Sequence, residues 1–127
     1  MSQLGAKRDP ALGIWSISWA AENTGAQSLR LSSVRLPHGQ FKSDEMRFTP
    51  AIELGPKELT NFEVSVRCDE PQGLVTENAF LIFQTIWRGE SWRIFVRVSV
   101  VVENDGTPRA KLESVTTQKV GFSGIAS

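Results

Sequence analysis

Trp92-Arg93-Ile94-Phe95-Val96-Arg97-Val98-Ser99-Val100-Val101-Val102 is the stretch that decides the fold class. Its even positions are all apolar, while the odd ones include Arg93, Arg97 and Ser99. A pleated strand sends those two sets to opposite faces, so the run reads as a half-buried β-strand. Phe62, Val64, Val66 and Cys68 repeat the pattern against Glu63, Ser65 and Arg67, and Trp15, Ile17 and Trp19 repeat it against Ser16 and Ser18. Residues 79–87, Ala-Phe-Leu-Ile-Phe-Gln-Thr-Ile-Trp, are apolar on both parities, as in a central strand or one covered on both faces. Leu29 and Leu31 share one parity and Val34 and Leu36 the other, which predicts a bulge at Ser32-Ser33.

Turn chemistry separates these runs: Asn23-Thr24-Gly25, Pro37-His38-Gly39, Gly55-Pro56, Pro71-Gln72-Gly73, Arg88-Gly89-Glu90 and Asn104-Asp105-Gly106. Short strands at near-regular spacing predict an all-β fold, an antiparallel β-sandwich of about seven to eight strands. No stretch carries a helical stripe, although Ser43-Asp44-Glu45-Met46 is expected to form at most a helical turn. Trp87 and Trp92 bracket Arg88-Gly89-Glu90-Ser91, a connection short enough to join two antiparallel strands and bring the indoles near each other. A second hairpin turns at residues 104–108 into a less apolar strand over residues 109–118, the expected sheet edge. The expected organisation is an N-terminal arm over residues 1–12, one domain over 13–119 and a C-terminal tail over 120–127.

The bulk numbers limit function. A chain of 127 residues can bury roughly two thirds of its unfolded surface in one core. Fourteen Lys plus Arg balance fourteen Asp plus Glu, which removes the electrostatic warrant for nucleic acid or an anionic membrane as partner. The longest strongly apolar stretch is interrupted by Arg93 and Arg97 and is far shorter than the ~20 residues of a membrane helix, so no membrane span is predicted. With one cysteine and no signal-like segment at the start of the sequence, a cytoplasmic location is expected.

The order Asn23-Thr24-Gly25, then Pro50-Ala51-Ile52-Glu53-Leu54-Gly55-Pro56, then Phe62-Glu63-Val64-Ser65-Val66, then two long closing strands resembles bacterial and archaeal immunoglobulin-like modules of the CARDB and PapD-like kind. In those modules an "NTG" turn follows the second strand and an "L-x-P" turn precedes the fifth. The resemblance spans residues 13–103 and implies an immunoglobulin-like sandwich, not an activity. The Cys-Trp-Cys pattern of antibody domains is absent.

Catalytic chemistry finds little to stand on. His38 is the only histidine and sits in a turn sequence, and Cys68 continues an apolar strand face, the place of a small core residue. The pairs Asp44-Glu45 and Asp69-Glu70 lack the ligand spacing of a calcium loop, and no Cys/His cluster suits zinc. No catalytic, cofactor or metal residue is therefore expected. Four tryptophans in a chain without tyrosine are the unusual feature. Trp15 and Trp19 are expected in the core. Trp87, Arg88, Trp92 and Arg93 form the candidate ligand or partner surface. The expected function is a non-enzymatic interaction module binding a protein partner or itself, with a homodimer assisted by the uncharged tail. The alternative is a small carbohydrate-binding module that stacks a sugar on a Trp87/Trp92 platform, which a flat, exposed pair would favour.

Overall fold

Alternation of this kind yields eight antiparallel strands and no helix among the described residues. The computed structural model describes residues 1–9, 14–39, 41–68 and 70–119. The strands are β1 (Ser2–Asp9), β2 (Ile14–Glu22), β3 (Leu29–His38), β4 (Phe41–Leu54), β5 (Leu59–Arg67), β6 (Val75–Trp87), β7 (Glu90–Val102) and β8 (Pro108–Lys119). They lie side by side in one sheet of order β1-β2-β5-β4-β3-β6-β7-β8, curled until it is nearly barrel-shaped. β3, β4 and β5 follow one another, and β6 returns to lie beside β3, which makes a Greek key.

The faces obey the period-two reading. Trp15, Ile17 and Trp19 of β2, Val64 and Val66 of β5, and Val96, Val98, Val100 and Val102 of β7 are buried on the inner face. Phe48, Phe62 and Phe83 stack edge to face in sequence, with centroids 5.5 and 5.7 Å apart, so the interior is continuous from β4 across to β6. β6 is central, between β3 and β7, and its outer face carries Phe80 packed edge-on against Phe95 at 6.3 Å. The bulge expected at Ser32-Ser33 is present as a register shift between Leu31 and Ser33.

Two seams are thin. β4 pairs with β3 at both of its ends, but with β5 it shares only the Lys42–Arg67 bridge. At the other seam β1 and β8, the two ends of the sheet, exchange no backbone ladder. Instead the Gln3 side chain spans them: its Nε2 donates to the Pro108 carbonyl at 3.0 Å and its Oε1 accepts from the Ala110 N–H at 2.7 Å. A side-chain amide offers the same donor and acceptor as a peptide group, so Gln3 stands in for one missing residue pair.

Several local expectations change. Residues 43–46 form no helical turn; they are part of β4, with Ser43 paired to Leu36 and Met46 to Val34. Extra β4 residues opposite Leu31–Ser33 and Val34–Leu36 shift its phase, which is why its alternation is hard to see. Residues expected as an arm include β1, paired along β2 from Ser2–Ala20 to Asp9–Ile14. His38 closes β3 rather than sitting in the turn. The expected tail, 120–127, lies outside the described residues.

Candidate functional site

Arg88 and Gly89 alone make the β6–β7 turn, tighter than the four-residue connection the sequence suggests. Both have positive φ, 54° and 71°, the backbone of a two-residue hairpin whose twist matches its strands. Trp87 pairs with Glu90 and Trp92 with Thr85, so the two indoles are diagonal neighbours on the inner face. Their centroids are 5.3 Å apart with ring planes at 71°. The pair meets edge to face and presents no coplanar platform. Both rings are half-buried.

The Arg88 guanidinium lies 4.7 Å from the centre of the Trp87 ring, and its Nε donates to Gln27 Oε1 at 2.6 Å. That bond ties the hairpin to the β2–β3 loop. The loop itself is held by Asn23, whose buried amide donates to the carbonyls of Gln27 and Leu54 and accepts from the Gly25 N–H. Lys57 and Glu58 bond the Asn23 backbone, joining the NTG and L-x-P turns directly.

Between this end of the molecule and β8 the sheet encloses a cavity of about 610 Å³. Leu31, Leu54, Phe83 and Val96 line its depths; Trp87, Arg88, Trp92, Met1 and residues 21–27 surround it, and Leu112, Val115 and Thr117 of β8 form its open flank. Gln3 holds β1 against the start of β8, at Pro108 and Ala110, on the far side of the seam from this flank. Compared with known proteins, the chain matches no family model, no curated protein and no solved structure. The geometry therefore carries the functional reading.

Three of the four candidate surface residues come together here, and Arg93 does not. Arg93 has the opposite parity to Trp92 and lines a separate, polar cleft on the outer face with Arg35, Lys42 and Glu45. Leu112 and Val115 belong to the site although the sequence marks them only as apolar residues of an edge strand. An extra residue between Leu112 and Ser114, relative to Arg97–Val98 of β7, spaces them three apart and hides their common face. Cys68 is buried and lines neither recess, nor does His38.

The electrostatics are local. Hydrogen bonds from Thr107, side chain first and then backbone, hold the Asp105 carboxyl below its ordinary 3.8, and Arg109 is raised by its hydrogen bond to Glu103. Asp105 lies in the β7–β8 connection and Arg109 at the start of β8, and neither lines the cavity. No group of three His, Cys, Asp or Glu converges among the described residues. No helix among them is long and apolar enough to cross a membrane.

Proposed function

We propose that the chain is a non-enzymatic, immunoglobulin-like interaction module that adds a strand at the free edge of β8, the strand coming from a second copy. The strand order supports the immunoglobulin-like reading. β1-β2-β5 on one side and β3-β6-β7 on the other reproduce the A-B-E and C-F-G neighbours of those sandwiches, with β4 lying beside β3 and β8 added beyond the last strand.

One observation carries the association: β8 ends the sheet, and among the described residues only its first ones are hydrogen-bonded to β1 on the far side. Ala110 directs its N–H toward β1, and Val115 and Thr117, paired with Val96 and Ile94 as Ala110 is with Val100, share that phase. Their N–H groups point to the open edge, a template for another strand. Two of the charges that would blunt such an edge are drawn back onto the sheet. Glu113 accepts from Ser99 Oγ at 3.0 Å, and Lys119 pairs with Glu90.

Sedimentation of the intact chain and of Val115→Pro at several concentrations tests this. Proline removes an edge donor without touching the β7 ladder. The intact chain is expected to dimerise and Val115→Pro to stay monomeric while folded. A monomer at every concentration, or a dimer that Val115→Pro leaves unchanged, refutes the proposal.

A further inference from the structure

Outward-facing positions of β3, β6, β7 and β8 gather three arginines around an apolar centre. Arg35 pairs with Ile82, Ile82 with Phe95 and Phe95 with Thr116, a row that crosses all four strands on the face opposite the core. Arg93 and Arg97 flank Phe95 on β7, two residues to either side, and so share its face. Phe80, paired with Arg97, packs edge-on against Phe95, and Ile82 beside them is buried. None of the three arginines makes an ion pair among the described residues; Arg97 donates to the Asn78 side-chain oxygen at 3.3 Å. Arg93 and Arg97 are half-buried, each with its Nε shielded from solvent and unbonded, so their stems lie against the sheet and their terminal guanidinium nitrogens face outward. Like charges gathered on such a face repel one another, and carboxylates set among them would relieve that repulsion and accept charge-assisted hydrogen bonds.

We propose that this outer face docks an extended acidic segment of a partner protein, whose carboxylates pair with Arg93 and Arg97 and whose intervening apolar side chain covers Phe95. Arg93 and Arg97, four residues apart, are separated by about 13 Å along the strand, the spacing of positions i and i+4 in an extended segment, which sets position i+2 over Phe95. Phenylalanine and arginine together are the composition enriched where proteins meet. A broad sheet face also suits a macromolecule, since small ligands are held in concave sites. Carboxylates stand at its margins. Asp44 and Glu45 line the cleft beside Arg35 and Arg93, held by Arg67 at 3.7 Å and by the Ser33 hydroxyl at 2.9 Å, and Glu113 is held by Ser99 at 3.0 Å. A continuous polyanion running past the arginines would meet these acids, so a segment with a few discrete carboxylates is favoured over single-stranded nucleic acid. The site uses the outer face of the sheet, whereas association uses the edge of β8, so the two readings stand or fall separately.

Random peptides displayed on phage are selected against the full chain, and the enriched sequences are made as free peptides and titrated by fluorescence anisotropy. Carboxylates four residues apart around an apolar residue are expected among them, with binding that weakens as salt rises. Arg93→Gln and Arg97→Gln should each weaken binding about tenfold, the size of one charge-assisted hydrogen bond. Arg109→Gln, which removes the same charge away from the patch, should leave binding within about twofold. Val115→Pro should bind as the intact chain does, because it alters the edge of β8 and not this face. Circular dichroism shows each variant folded. Selection of no peptide, selection of peptides without paired acids, or equal effects of Arg109→Gln and Arg93→Gln overturn the assignment. Peptides lost to Val115→Pro but kept by Arg93→Gln bind at the edge instead, and overturn it equally. Oligothymidylate that displaces the peptides and itself depends on Arg93 and Arg97 would make the face a nucleic-acid site. A dimer that Arg93→Gln abolishes would make a second copy its occupant. Either result overturns an acidic partner segment.

Discussion

Asn23 holds one end of the molecule through both its side chain and its backbone. Its amide reaches the Leu54 carbonyl at 3.0 Å and the Gln27 carbonyl at 2.8 Å, and its backbone bonds Lys57 and Glu58 across the β4–β5 turn. Asn23→Ala strands a buried carbonyl and is expected to cost about 1–3 kcal/mol, read as a lower urea midpoint at unchanged slope. Asn23→Asp should cost more at neutral pH, because it sets a carboxylate against two carbonyl oxygens. A midpoint unmoved by Asn23→Ala would deny the residue this role. Asp105 acts at the opposite end. Its carboxyl titrates lower in the native state than in the unfolded chain, so its contribution is complete above 3.8 and is lost as pH falls through the lowered native value. Asp105→Asn should flatten that part of the acid-unfolding curve, and an unchanged curve would show that the turn hydrogen bond contributes nothing. Asn23 was legible in the sequence as a turn residue. Its buried, bridging role was not, since its partners Leu54 and Glu58 come from a turn more than thirty residues away.

At the scale of elements, legibility followed the regularity of the pleat. β2, β5 and β7 keep one phase throughout and can be read directly, whereas β4 changes phase twice and β1 shifts register between Gln3 and Gly5. An edge strand such as β1 also packs only one side against a neighbour, so its sequence, with Gly5 and Lys7, needs little apolar content. Two predictions belong here. Gly89→Ala forces a Cβ into positive φ at the β6–β7 turn and should destabilise the protein by about 1 kcal/mol in urea unfolding; no loss would mean the turn relaxes to another type. Gln3→Ala removes the bridge between β1 and β8, and the Ala110 amide should then exchange with solvent at least several-fold faster while amides of β6 keep their protection. Equal protection of Ala110 in both proteins would show that the seam does not depend on Gln3.

For the whole molecule, the thin seams do not divide the core. Phe48, Phe62 and Phe83 carry ring contacts across the opening between β4 and β5, and buried side chains of β2, β5, β3, β6 and β7 form one cluster. Urea unfolding is therefore expected to be a single transition, coincident by circular dichroism and by tryptophan fluorescence. Two separated transitions would mean that β1-β2-β5 and β3-β6-β7-β8 hold together independently.

Period-two alternation in the sequence by itself determined that this chain is all-β and antiparallel, which faces of β2, β5 and β7 are buried, and where most reversals fall, because those properties depend on neighbouring residues and the pleat. Only the tertiary structure decided the strand order, the side-chain bridge at the β1–β8 seam, and the cavity. Each of these depends on register between segments distant in the chain, and a shift of one residue moves a side chain to the other face. The bulge beside Glu113 is such a shift: it set Leu112 and Val115, three positions apart, on the same wall of the cavity.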